Sequence, residues 1–210
     1  MRRRMRSSKD EPEPQEKKMG NETVSESYLH HKVEELRALL LQADQLQPQV
    51  AAAANGLGNA LLDGGKLLAC GNGGSAADAS HLTTEYVCRF SKDRRPYPAI
   101  SLATHGGDIT AIGNDYCFED LFARQVEAFG RSGDVLMAFT TSGRSENIRR
   151  ALLTAKSLGL QTVAFLGCDG GVCTGLADVE LLVRSTSTAR VQEIHKILLH
   201  TICEIVETKL

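Results

Sequence analysis

The chain has 210 residues, 42% hydrophobic and 24% charged, a composition that suits one globular domain of ordinary polarity. Its 24 basic and 26 acidic residues leave a formal net charge of -2, so no global field draws it to nucleic acid or to an anionic membrane surface. No apolar run approaches the ~20 residues of a membrane-spanning helix, and the opening stretch MRRRMRSSKDEPEPQEKK has neither the apolar core of a secretory signal nor the acid-poor composition of a transit peptide; a cytoplasmic location is the expectation.

Residues 1–22 are rich in Arg, Lys, Glu and Pro and almost free of large aliphatics, which predicts a disordered tail ahead of a single domain over 23–210. From 26 to 62 the pattern is helical: Leu29, Val33, Leu36, Leu40 and Ala43 recur at three- and four-residue steps. Pro48 should break or kink that run, and Gly64-Gly65 should stop it. Short apolar strands and helices then alternate. Strands are predicted at 66–70 (KLLAC), 98–103 (PAISLA), 134–139 (DVLMAF), 161–166 (QTVAFL) and 178–183 (DVELLV). Helices are predicted at 75–90, 108–113, 118–130, 145–158 and 189–208. The alternation implies an α/β fold, with a five-stranded parallel sheet covered by helices on both faces. The six cysteines are scattered, with no CxxC pair, and read as reduced thiols rather than a metal site.

In such sheets ligands bind beyond the carboxyl ends of the strands, which directs attention to three loops. After Phe139 comes Thr140-Thr141-Ser142-Gly143-Arg144-Ser145, four hydroxyl side chains in six residues at a helix start. Free backbone N–H groups and the positive end of the helix dipole suit phosphate there; a helix cap alone would need one hydroxyl. No GxxxxGK[ST] pattern is present, so a nucleotide P-loop is not indicated. After Cys70 comes Gly71-Asn72-Gly73-Gly74-Ser75, whose glycines permit close approach of a ligand. The third loop, Gly167-Cys168-Asp169-Gly170-Gly171, reads as a turn. In the helix after the first loop, His81 and Glu85 share a face at i,i+4 spacing. That is an ordinary surface ion pair, or a metal or acid–base pair. The last helix holds Gln192, Glu193, His195 and His200. Gln192 and His200 are eight residues apart, ~12 Å along a helix, so joint action at one site implies that a neighbouring subunit supplies one of them.

Taken together, GNGGS, HLTTE, GND at Gly113 to Asp115, TTSGRS and QEIHKILLH, in this order, resemble the phosphoheptose isomerase family of the sugar isomerase (SIS) superfamily over residues 26–208. The resemblance implies a homotetramer with active sites between subunits. It implies conversion of sedoheptulose 7-phosphate to D-glycero-D-manno-heptose 7-phosphate through an enediol, at the start of heptose synthesis. It implies one zinc per subunit, with ligands mapping onto His81, Glu85, Gln192 and His200. Phosphate contacts map onto Thr140, Thr141, Ser142 and Ser145. The remaining substrate contacts map onto Asn72, Gly73, Gly74, Ser75, Glu85, Asn114, Asp115 and Gln192, with Glu85 as catalytic base and His200 as its acid–base partner. Thr140 departs from a serine often found there, and Ala76-Ala77 from His-Cys. A non-catalytic relative that associates with a replication initiator is the alternative; such proteins typically lack histidine at the His200 position and read T-R-G where this chain has Thr141-Ser142-Gly143.

Overall fold

The computed structural model describes residues 21–210, and side chains from 27 onward. The predicted tail, 1–22, lies outside the described residues except for its last two, with which the first helix opens. That helix, α1 (Asn21–Ala43), runs through a short 3-10 turn (Asp44–Leu46) into α2 (Gln47–Leu62). The interruption therefore precedes Pro48, which sits in the first turn of α2 and does not break it. There the missing N–H costs nothing and the fixed φ already suits a helix. Among the described residues, those before Glu35 form a unit separate from Glu35–Leu210, and the architecture below is that of the larger unit.

Five strands, β1 (Leu67–Gly71), β2 (Ala99–Ser101), β3 (Val135–Thr140), β4 (Gln161–Gly167) and β5 (Val179–Val183), form one sheet in the order β2-β1-β3-β4-β5. Every pairing is parallel; Leu67 lies opposite Val135, and Val163 opposite Val179. The five-stranded parallel sheet expected from the alternation is thus present. The connecting helices are α3 (Gly74–Val87), α4 (Gly106–Asp115), α5 (Leu121–Phe129) and α6 (Glu146–Ser157), and α7 (Thr188–Glu207) follows the last strand. The second strand is shorter than its apolar run, and α3 stops at Val87 rather than at 90. The residues up to Pro98 form a loop that Arg94 ties down by donating to the carbonyls of Glu85 (2.6 Å) and Tyr86 (3.1 Å).

Successive strand residues face opposite sides of the sheet, and two cores result. Leu67, Ala69, Met137, Phe139, Val163 and Phe165 pack under α2, α3 and α7. Leu68, Cys70, Leu136, Ala138, Ala164 and Leu166 pack under α5 and α6. Strands β1 and β3 are buried along their whole length, as the continuous apolar runs require, whereas edge strand β5 alternates buried and half-buried residues. The chain steps from β1 outward to β2 and then returns past β1 to β3. The helices that follow β1 and β3 consequently lie on opposite faces, α3 on one and α6 on the other. A crevice opens beyond the carboxyl ends of these two central strands.

Candidate active site

The loops after β1 and β3, two of the three singled out in the sequence, sit at that crevice, and a reciprocal amide pair joins them. The Asn72 amide donates to the Asn147 carbonyl oxygen, and the Asn147 amide donates back to Asn72, each at 2.9 Å. Asn147 lies in the first turn of α6 and is buried. Its sequence context, an asparagine near a helix start, carries no signal beyond capping, so sequence reasoning missed it.

The loop after β3 gathers its hydroxyls. Thr140 Oγ1 lies 3.5 Å from Ser142 Oγ and 3.3 Å from Ser145 Oγ, and accepts from the Gly143 N–H at 3.2 Å. Ser142 Oγ accepts from the Arg144 N–H. Ser145 occupies the N-cap position of α6 but makes no side-chain cap bond, so the first N–H groups of that helix are not taken by its hydroxyl. Thr141 is half-buried on the same loop, its carbonyl packed on Gly167. The loop 167–171, expected to be only a turn, buttresses this one. Gly143 has φ +66°, and a Cβ there would lie 2.2 Å from the Gly170 carbonyl. Glu146, in the same first turn, is bound by Arg149 and Arg150, whose guanidinium groups pull its carboxyl down to about 2.

The second assembly lies on α3 and α7. His81 Nε2 is 2.9 Å from Glu85 Oε1 and 3.1 Å from His200 Nε2, and one donor atom from each of the three residues falls within 4.8 Å of the others. All three are half-buried. Burial first, and then the neighbouring His81 and Lys196, hold the His200 imidazole below its usual value. Two imidazoles and a carboxylate in this compass are a donor set that suits a divalent ion such as zinc with a coordination position left open. His195 is different: it is fully buried against Phe139 and Phe165, with Nε2 3.2 Å from the Leu166 carbonyl.

Gln192 lies eight residues before His200 on α7. Its amide lies over Gly74, where a Cβ would be 2.4 Å from Nε2. With Gly74, Asp78, Ala189, Glu193 and Lys196 it lines a cleft of about 440 Å3. Gly73 and Ser75 belong to the same helix entry, Gly73 exposed at φ +56° and Ser75 buried. Asn114 and Asp115 stand exposed at the end of α4, the amide donating to the carboxylate at 2.7 Å; among the described residues neither bonds to the two loops. Lys196, not singled out in the sequence, lies between Gln192 and His200 at four-residue steps and pairs with buried Asp78 at 2.5 Å. That spacing on one helix face was the available signal.

A profile of the SIS domain matches residues 32–167. A phosphoheptose isomerase from Geotalea daltonii is 46% identical over 192 residues, 91% of this chain and 97% of its own. One from Aquifex aeolicus is 50% identical over 159 residues, 76% of this chain and 83% of its own. This chain belongs to the phosphoheptose isomerase family. Solved members superpose accordingly. The enzyme from Francisella tularensis has a TM-score of 0.84 at 36% identity, covering 88% of this chain and 98% of that one. The enzyme from Neisseria gonorrhoeae has a TM-score of 0.82 at the same identity, covering 87% and 98%. In this phosphoheptose isomerase family chain, no helix among the described residues is long and apolar enough to cross a membrane.

Proposed function

We propose that the chain interconverts sedoheptulose 7-phosphate and D-glycero-D-manno-heptose 7-phosphate, the opening step of heptose synthesis, as a cytoplasmic homotetramer carrying one zinc per subunit. The observation that carries this reading is the convergence of His81, Glu85 and His200 from two helices in a chain of this family. A non-catalytic, initiator-associating relative would have no need of that cluster.

The phosphate is held by the hydroxyls of Thr140, Thr141, Ser142 and Ser145 and by the free N–H groups of the first turn of α6. Asn72, Gly73, Gly74, Ser75, Asn114, Asp115 and Gln192 contact the sugar. The Glu85 carboxylate takes the proton from C1 of the ketose. The electrons of that C–H bond form the C1=C2 double bond while His200 delivers a proton to the oxygen on C2, giving the enediol. Return of the carbon-bound proton to C2, with loss of the O1 proton to His200, gives the aldose, so nothing is gained or lost overall. Zinc, held by His81, Glu85, His200 and a Gln192, would polarise the substrate oxygens when bound. Ligation also draws charge from Glu85 and occupies a ring nitrogen of His200, so the metal and acid–base duties of both residues oppose each other.

Distances along the helices support a site shared between subunits. Glu85 is eleven residues beyond Gly74 on α3, ~16 Å along the axis. An extended heptose phosphate spans only about 10 Å from C1 to phosphorus at ordinary bond lengths. Likewise Gln192 and His200 are ~12 Å apart on α7. A second copy supplying the phosphate loop and Gln192 to the first copy's Glu85 and His200 closes both gaps.

The test is turnover. Metal-free and zinc-loaded protein is incubated with sedoheptulose 7-phosphate and the aldose is followed by NMR. Aldose should form, and should be lost in Glu85→Gln and His200→Ala that remain assembled by light scattering. A folded wild-type protein that forms none in either state overturns the reading.

A further inference from the structure

His81 sits between two groups of fixed hydrogen-bonding character. On one side, Glu85 Oε1 lies 2.9 Å from Nε2; an ionised carboxylate can only accept. On the other, Lys196 Nζ lies 3.4 Å from Nδ1; an ammonium can only donate. A neutral imidazole satisfies both in one tautomer, with its proton on Nε2 and its lone pair on Nδ1. His200 Nε2, 3.1 Å from the same Nε2, then accepts as well. Binding a metal through Nε2 requires the opposite tautomer, with a lone pair on Nε2 and N–H on Nδ1, and a ligating histidine ordinarily donates that N–H to an acceptor. Lys196 offers no acceptor.

The neighbourhood contains one. Asp78 is 95% buried; its Oδ1 takes the Lys196 ammonium at 2.5 Å, and its Oδ2 is buried with no hydrogen-bond partner among the described residues. Asp78 and His81 are three residues apart on α3, hence on one face. Gln192, Lys196 and His200 form the facing stripe of α7. The Asp78–Lys196 pair stands in the cleft wall, next to the metal-ligand cluster.

We propose that Lys196 is a built-in restraint on metal binding: it holds His81 in the tautomer that cannot ligate through Nε2, and metal entry requires the Nδ1 partner to change from Lys196 to the free oxygen of Asp78. This rests on the metal reading of His81, Glu85 and His200. The class of ligand is a divalent cation of zinc type, and the restraint makes the site weaker than its three donors alone would be. Partners of this kind alter metal affinity by 10–100-fold.

The experiment compares wild type with Lys196→Gln and Lys196→Met, zinc affinity being measured by competition with a chromophoric chelator. The glutamine amide can donate to Asp78 and also accept from Nδ1–H, so Lys196→Gln should bind zinc at least about tenfold more tightly. Lys196→Met serves if the first variant does not fold. In the metal-free proteins, nitrogen-15 shifts of His81 should show protonated Nε2 in wild type and a shift toward protonated Nδ1 in the variant. Equal or weaker zinc binding by the variants, or an unchanged tautomer, overturns the restraint while leaving the metal site standing. Absence of stoichiometric zinc binding by wild type and variants alike overturns the metal reading and the restraint with it.

Discussion

Replacing Gly143 by alanine tests the cradle after β3 where the structure is least forgiving. Two separate costs apply. The residue has φ +66°, a left-handed conformation that disfavours any L side chain by about 1–2 kcal/mol. The added methyl would also stand 2.2 Å from the carbonyl carbon and oxygen of Gly170, both backbone atoms that cannot swing aside as a side chain would. Forced overpacking of this kind typically costs about 1–3 kcal/mol. The sum, about 2–5 kcal/mol, corresponds to a fall in Tm of very roughly 4–20 °C for a chain of this size. The relief route matters for function. Gly143 is joined to Thr140 through its N–H and to Cys173 through its carbonyl, so moving it drags the hydroxyl cluster and the loop behind it together. The Gly143→Ala protein should therefore lose stability by calorimetry and show a raised KM for the sugar phosphate, with kcat changed less. A Tm within a degree of wild type together with an unchanged KM would refute both the steric argument and the assignment of this loop to phosphate.

Three further outcomes are expected. Ser142→Ala should raise KM severalfold with little loss of Tm, because the hydroxyl lost faces the cradle rather than the core; steady-state kinetics decide it. Asn147→Ala should cost about 1–3 kcal/mol, the penalty for leaving a buried polar partner unpaired, and should weaken phosphate binding, both checked by denaturant unfolding with and without the sugar phosphate. His195 should dominate part of the acid limb of stability. Burial lowers its pKa from 6.5 to about 4, so the unfolded chain binds more protons in that window. Its contribution is therefore present above about pH 6.5 and is lost as pH falls toward 4, for a total of about 3 kcal/mol. His195→Gln, which keeps a donor for the Leu166 carbonyl, should flatten the stability profile between those values, and an unaltered slope would exclude the histidine as its source.

The sheet was legible because each strand is a short apolar run bounded by glycine or polar residues, and a central parallel strand can be little else. The hydroxyl density of Thr140 to Ser145 and the His81–Glu85 spacing were equally visible, since both are local. Long-range geometry was not. Nothing in the sequence pairs Asn72 with Asn147, 75 residues apart, because a single asparagine at a helix start has a sufficient local explanation. Pro48 misled because proline both ends helices and begins them, and only the backbone at Asp44–Leu46 shows which applies. Gln192 was grouped with His200 by resemblance; in one chain the rise of α7 keeps them apart.

The amide clasp between Asn72 and Asn147 has a consequence for selectivity. It fixes the hydroxyl-rich end of the crevice before any ligand arrives, so on the proposed function that end would recognise a phosphate monoester and not the length of what is attached to it. Inorganic phosphate, product and shorter sugar phosphates should then all compete for it, and competition kinetics measure this directly. Discrimination among sugars would then arise beyond the phosphate, and on the proposed mechanism most sharply where only a chain of the right reach brings C1 to Glu85. Substrate choice in such an enzyme is written in turnover, not in affinity.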